Sequence, residues 1–355
     1  MTLRDTATWA EIAQQPDLWD AWSRDGAIPA ARAWLDGLAP REVWLCGAGS
    51  SAFIGDIVAA GAPRGARSGP HLRAVPTTDL VSRPRTYLPT EALVLQFGRS
   101  GDSAESVGTL DALDALSPAA PRLHVTCNPR GALAMRPAPG PLHVLVLPEA
   151  AHDAGFAMTS SFTTMLLSAL ALLGPEGPGP IAPLAVRLRA LLPTYEGHAA
   201  AARTPERLVF LGTGPLTFAA RECALKVMEL TAGAIPCLWD SVLGFRHGPK
   251  SFMRGATDVV LLASSDPHAR LYERDLAVEL RAQYPDSHIT VLGPEGDLAG
   301  DLGAPSDAWA AAALVPFAQV LAATLSDRLG LKVDDPFEGT GQLARVVRGV
   351  TLHAP

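Results

Sequence analysis

CGAGSSAFIGD, residues 46–56, joins a short apolar run at 43–46 to a helical pattern, and its paired glycines return as Gly212 and Gly214 after a second such run at 208–211. A strand that stops at a Gly-x-Gly turn and continues as a helix is the opening unit of a parallel α/β sheet. Gly47 and Gly212, Gly49 and Gly214, and Phe53 and Phe218 are each 165 positions apart, and the next apolar runs keep that offset, Val94 against Val259. Chance seldom holds one register across two strands, so the spacing implies an internal duplication.

Further runs at 93–97, 123–127 and 142–147, and later at 259–263 and 289–292, each lead into a helical or turn pattern. A Pro/Gly-rich stretch, GPEGPGPIAP from Gly174, separates the two series. The expected architecture is α/β: two doubly wound domains, residues 1–175 with a leading helix and residues 190–355 with a C-terminal tail, joined near 174–190. At 355 residues the chain exceeds the usual size of a single core, so two cores are expected. Ligands belong at the carboxyl ends of the strands.

Composition narrows the function. With 48% hydrophobic and 18% charged residues the chain is expected to fold throughout. A net charge of -7 and the lack of any basic cluster argue against a nucleic-acid partner. The N-terminal MTLRDTATWAEIAQQPDLWDAW is acidic and amphipathic, unlike a signal peptide. The apolar stretches 162–173 and 308–325, the second broken by Pro316 and Gln319, read as buried core helices rather than membrane spans. Cys46, Cys127, Cys223 and Cys237 share no C-x-x-C spacing and suit reduced thiols in a cytoplasmic protein. No group of His, Asp, Glu and Cys, His152 and Asp153 included, repeats a zinc spacing, so neither metal nor cofactor is expected.

The first glycine loop offers backbone N–H groups at a helix start, with Ser50 and Ser51 as hydroxyl donors, which suits an anionic or polyhydroxyl ligand. Gly47, Gly49 and Ala52 also satisfy a dinucleotide fingerprint, but no acidic residue stands between Asp56 and Asp79 to hold a ribose. That alternative survives only as an NADP enzyme using Arg64 or Arg67.

After the run at 93–97 comes GRSGDSAES, residues 98–106, where Ser100, Gly101 and Ser103 crowd a second strand-to-helix turn. Hydroxyls and amides converging on a helix N-terminus suit a dianionic phosphate without any lysine. Asp102 or Ser103 capping the helix explains part of the pattern, with Ser106 three residues on, but not Ser100. The second half offers only ASSDPHAR around Ser264 and Ser265, a degenerate version of the loop.

The segment AARECALKVMELTAG, residues 219–233, sets Glu222, Lys226 and Glu229 four and three apart on one helical face. An ordinary solvated stripe paired at i,i+4 is the plain alternative, but the flanking Ala, Leu, Val and Met suggest burial. Lysine is rare in this chain, occurring only at 226, 250 and 332.

Together GAGSSAFIGD, GRSGDSAES and RHGPKS resemble the sugar isomerase (SIS) domain occurring in tandem, and in particular the tagatose-6-phosphate ketose/aldose isomerase group, also described as galactosamine-6-phosphate deaminase/isomerase. The likeness runs on through TTDLVS from Thr77, TCNPRGALA from Thr126, GFAMTSSFT from Gly155, ALKVMELTAG from Ala224 and RVVRGVTLH near the C-terminus. It implies a sugar-phosphate substrate and a carbon-two to carbon-one proton transfer, with loss of ammonia when carbon two carries an amino group. It assigns Glu229 as the base and His247 as the ring-opening group, while Lys226, a preorganised cation on the same helical face in a chain that mostly uses arginine, is expected to stabilise the developing charge. Substrate contacts fall on Gly49, Ser50, Ser51, Arg99, Ser100, Gly101, Asp102, Ser103, Ser160 and Ser161.

Gly98 stands where relatives begin the phosphate loop with serine, and the lid lysine of the synthase relative has no counterpart after Lys332, leaving Arg345 and Arg348. The same family contains sugar-phosphate sensors, but a sensor needs no proton shuttle such as Glu229 and His247. Pairing into a homodimer or higher homo-oligomer is also expected.

Overall fold

The computed structural model describes residues 2–62, 69–89, 91–340, 343–347 and 349–355. Arg64, Arg67 and Arg348 lie outside the described residues. Two helices, α1 (Ala7–Trp22) and α2 (Ala27–Leu38), precede β1 (Glu42–Cys46), α3 (Ser50–Gly61), β2 (His71–Ala74), α4 (Thr77–Ser82), β3 (Ala92–Gly98), α5 (Ala104–Leu116), β4 (Arg122–Thr126), α6 (Ala132–Met135), β5 (Leu142–Val146) and α7 (Ser160–Leu173). Then α8 (Ile181–Ala201) leads to β6 (Arg207–Gly212), α9 (Pro215–Leu230), β7 (Cys237–Ser241), β8 (Thr257–Leu262), α10 (Pro267–Gln283), β9 (Ile289–Gly293), β10 (Leu298–Ala299) and α11 (Asp307–Arg328).

The strands form two five-stranded parallel sheets, β2-β1-β3-β4-β5 and β7-β6-β8-β9-β10, the same order used twice. Glu42 pairs with Ala92 in the first sheet and Arg207 with Thr257 in the second, so the 165-residue offset holds in the hydrogen-bond register itself. Three edge strands had no sequence signature. In β2 half-buried and exposed residues alternate, every residue of β7 is half-buried, and β10 has two residues, whereas the central β3 is buried along its whole length.

Gly47 and Gly212 are sterically required. A Cβ on Gly47 would lie 2.4 Å from the carbonyl carbon of Ser51, and one on Gly212 2.3 Å from the carbonyl oxygen of Leu216. In both halves the first turn of the following helix packs directly onto the strand end.

Two separate cores were expected, but the largest core is shared. Val43, Leu45, Leu93 and Leu95 of the first sheet join Leu208, Phe210, Val260 and Leu262 of the second through α1, α3, α7, α8, α9 and α11. Smaller clusters cover the outer faces, around Trp44 and Val94 in the first half and around Val209 and Leu276 in the second. The physical reason is that helices of the two halves pack against each other, α3 on α9 and α7 on α11. Each large apolar side chain buried there contributes about 1.5–3 kcal/mol.

Helix α11 is long and apolar enough to cross a membrane, yet 94% of its most apolar window is buried inside the protein, as a core helix requires. The stretch following Gly174 is no loose linker either: from Ile181 it forms α8, which packs on α1 and α11.

Beyond α11 the chain returns to the first half. Asp334 accepts hydrogen bonds from the N–H groups of Ala7 and Thr8 and from the Thr8 hydroxyl, satisfying the start of α1. Phe337 packs on Phe156, ring centroids 5.1 Å apart. All four cysteines are free thiols.

Candidate active site

The site is assembled from both halves. Ser50 opens α3 behind Gly49, whose φ of +54° suits glycine, and its Oγ accepts a hydrogen bond from Lys226 Nζ of α9 at 3.1 Å. Ser51 is equally buried and lies against the Met158 sulfur at 3.8 Å.

The second loop is rigid by its own bonds. Ser103 is the N-cap of α5 and accepts from the Ser106 N–H at 3.2 Å, while the Asp102 N–H donates to Ser100 Oγ at 3.2 Å across Gly101, whose φ is +70°. The Asp102 carboxylate is turned inward, accepting from the Ala132 N–H at 2.7 Å and from Asn128 Nδ2 at 3.3 Å, so it fastens the loop to α6. At Gly98 a Cβ would lie 2.7 Å from the terminal Cδ1 of Leu133 and 3.5 Å from Gly101 Cα.

Arg99 is buried and donates to the carbonyls of Gly155, Phe156 and Arg345 at 3.3, 3.1 and 3.0 Å. Burial pushes its guanidinium below the usual arginine range, with Asp153 and Glu229 pulling the other way. Arg99, in the serine loop of the first half, thus feels the charge of a carboxylate from the second half.

Ser160 and Ser161 are fully buried, and their hydroxyls and N–H groups all reach one carboxylate, that of Asp153, with Ser160 Oγ at 2.6 Å from Oδ1. Asp153 also receives the N–H and hydroxyl of Thr159 at 2.8 and 2.9 Å. The start of α7 therefore already holds an anion, and these serines face the protein rather than open solvent. Sequence reasoning weighed Asp153 only as a metal ligand; its signal was an acid seven residues before a serine-rich helix start. Arg345 donates to the Asp153 carbonyl, which draws the tail onto this loop.

On α9, Lys226 Nζ lies 2.6 Å from Glu229 Oε2 and 3.3 Å from Glu222 Oε1. Lys226 and Glu222 have no side-chain surface exposed, whereas Glu229 keeps 24%. Burial pushes the Glu222 carboxyl up to about 7, against the pull of Lys226. Burial opposes the Lys226 charge, but the two carboxylates outweigh it and hold the ammonium above its usual range. Beside them Arg221 spans the halves, 4.1 Å from the ring centre of Phe53, 5.1 Å from that of Trp239 and 3.3 Å from Asp56.

His247 ends a single helical turn, Gly244–His247, and is exposed; it makes no hydrogen bond or ion pair among the described residues. Its neighbours Arg246 and Lys250 are both anchored on Glu279 of α10. The fold brings Glu229, Lys226 and Ser50 into contact; among the described residues no hydrogen bond or ion pair joins Arg99 or His247 to that group.

No family model matches the chain. It is 39% identical to the D-galactosamine-6-phosphate deaminase AgaS of Escherichia coli, covering 98% of this chain and 96% of that protein, and 36% identical to its namesake from Shewanella sp., covering 98% and 91%. The crystal structure of tagatose-6-phosphate ketose/aldose isomerase from Escherichia coli superposes with a TM-score of 0.85 at 36% identity, covering 98% and 96% of the two chains. Glucosamine-6-phosphate deaminase from Thermotoga maritima, at 19% identity and a TM-score of 0.76, shares the fold. The chain belongs to the family of galactosamine-6-phosphate deaminases and tagatose-6-phosphate ketose/aldose isomerases, built on two SIS-type domains.

Proposed function

We propose that this phosphosugar isomerase converts galactosamine 6-phosphate to tagatose 6-phosphate and ammonia. The observation that carries this is the ion pair of Lys226 and Glu229, 2.6 Å apart, presented by α9 toward Ser50 of the other half.

The serine loop, Ser100 to Ser103 at the start of α5, would take the 6-phosphate, and Gly49, Ser50 and Ser51 the sugar hydroxyls. Arg99 would hold the strand end and the tail in place, with Asp102 keeping the serine loop in shape and Ser160 and Ser161 the loop around Asp153. His247 would pass the ring proton that opens the sugar to its aldehyde form. Glu229 would then take the proton from carbon two and return it to carbon one, leaving a carbon–nitrogen double bond at carbon two. Water adds to that carbon and ammonia departs, giving the ketose. Lys226, paired with Glu229, would follow the negative charge onto the enol oxygen.

A cytoplasmic homodimer or higher assembly is the form this proposal expects, and light scattering tests it. The substrate is tested by following ammonia and ketose 6-phosphate from galactosamine 6-phosphate, glucosamine 6-phosphate and the unsubstituted aldose phosphates. Preferred turnover of galactosamine 6-phosphate supports the proposal; turnover of the aldose phosphates alone would limit the enzyme to isomerisation.

A further inference from the structure

The second half has a loop in the place of the phosphate loop, and a carboxylate of the protein's own already sits in it. Ser265 stands 165 positions after Ser100, and each follows the carboxyl end of the third strand of its half, β8 and β3. Ser264 Oγ donates to Asp307 Oδ2 at 2.5 Å, and both the N–H and the Oγ of Ser265 donate to Asp307 Oδ1 at 2.7 Å. Two hydroxyls and one amide thus converge on a single oxyanion, the donor chemistry that also holds phosphate at a helix start.

The surroundings isolate this cradle from other uses. The start of α10 is capped separately by Asp266, which accepts from the N–H groups of His268 and Ala269 at 2.7 and 3.3 Å. The Ser264 N–H goes to Glu273 Oε2 at 3.0 Å, and Arg270 Nη1 braces the loop through the carbonyls of Ser264 and Ser265 at 3.3 and 2.8 Å. Ser265 is exposed and Asp307 half-buried, so the cradle opens to solvent wherever the carboxylate is absent.

We propose that the second half retains an oxyanion site at Ser264 and Ser265 in which Asp307 is the resident anion, closing the site to phosphosugars and pinning the start of α11. The proposal rests on Ser100 to Ser103 being the phosphate site of the first half. Because α11 packs along α9, which carries Glu229, the same carboxylate also braces the helix of the proposed base.

The test is equilibrium dialysis of the full chain against labelled inorganic phosphate, for wild type, Asp307→Ala, Asp307→Asn and Asp307→Ala combined with Ser264→Ala and Ser265→Ala. One phosphate per chain in wild type, a second at least tenfold tighter in Asp307→Ala than any second site in wild type, and its loss in the triple variant would bear the proposal out. One phosphate in both wild type and the folded Asp307 variants overturns it while leaving the first site intact. No phosphate on wild type overturns the phosphate site of the first half as well. If both single variants are unfolded in buffer, recovery of folded protein on adding phosphate supports the proposal, and no recovery at saturating phosphate overturns it.

Discussion

Lys226 lies between Glu222 and Glu229, 3.3 Å from one carboxylate and 2.6 Å from the other, with its side chain wholly enclosed. Three charges in a row on α9 would be costly in an apolar core if any one lacked its partner, so the triad is a unit.

Removing the central charge tests this directly. Lys226→Met leaves two carboxylates facing each other in the interior and is expected to destabilise the protein by about 3–5 kcal/mol in urea unfolding. Adding Glu222→Gln to it should restore a substantial part of the loss, because the two changes act on one network. Full additivity would mean the two residues stand independently.

Glu11 gives a pH signature. It sits by Asp153 and Asp334 and accepts from the N–H groups of Ala154 and Gly155; burial, then the Asp153 charge, push it up to about 7 against the pull of those amides. A carboxyl raised in the folded state binds its proton more tightly than in the unfolded chain, so stability is lost as pH rises from about 4.5 to about 7. Glu11→Gln keeps an amide acceptor and removes this loss. It should match wild type near pH 4 and exceed it at pH 8 by on the order of 1–3 kcal/mol; a pH-independent difference would contradict the assignment.

Gly47→Ala and Gly212→Ala should fail alike. In each, a Cβ meets backbone atoms at 2.4 and 2.3 Å, which no rotamer change relieves. Each variant is expected to lose about 3 kcal/mol or more by denaturant unfolding. An Ala tolerated at one position and not the other would break the equivalence of the two halves.

Ser100→Ala separates binding from chemistry. Loss of a hydrogen bond to a dianion is worth about 1.5–3 kcal/mol, so KM should rise about 10- to 100-fold with kcat changed little. A drop in kcat at constant KM would place Ser100 at the reacting carbons instead of the phosphate.

Much of the fold was legible in the sequence. A buried parallel strand must be apolar throughout, so β3 and β8 were visible, and Val94 and Val259 carried the duplication with them. An edge strand needs no such run, and β2, whose exposed residues include His71 and Arg73, left no trace. The shared core was hidden for a related reason: periodicity tells which face of a helix is buried but not what buries it.

For the site, local spacing put Glu222, Lys226 and Glu229 on one face, and the structure adds Ser50, 176 positions from Lys226, as the fourth member. Partners that come from afar were not readable. The Asp307 carboxylate in the Ser264 loop comes from 42 and 43 positions on, and the Asp334 cap of α1 from the far end of the chain. Ser160 and Ser161 show the same gap: a pair of free donors on paper, fully engaged by Asp153 in the fold.

The central claim is that Glu229 moves the proton between carbon two and carbon one. It is tested by incubating wild type and Glu229→Gln with galactosamine 6-phosphate in deuterium oxide and following deuterium at carbon two of the remaining substrate together with ammonia release. Exchange and release should both fall by 10³-fold or more in the variant while the substrate still binds within a fewfold of its wild-type affinity. Ammonia release at near the wild-type rate from a folded Glu229→Gln protein would contradict the claim.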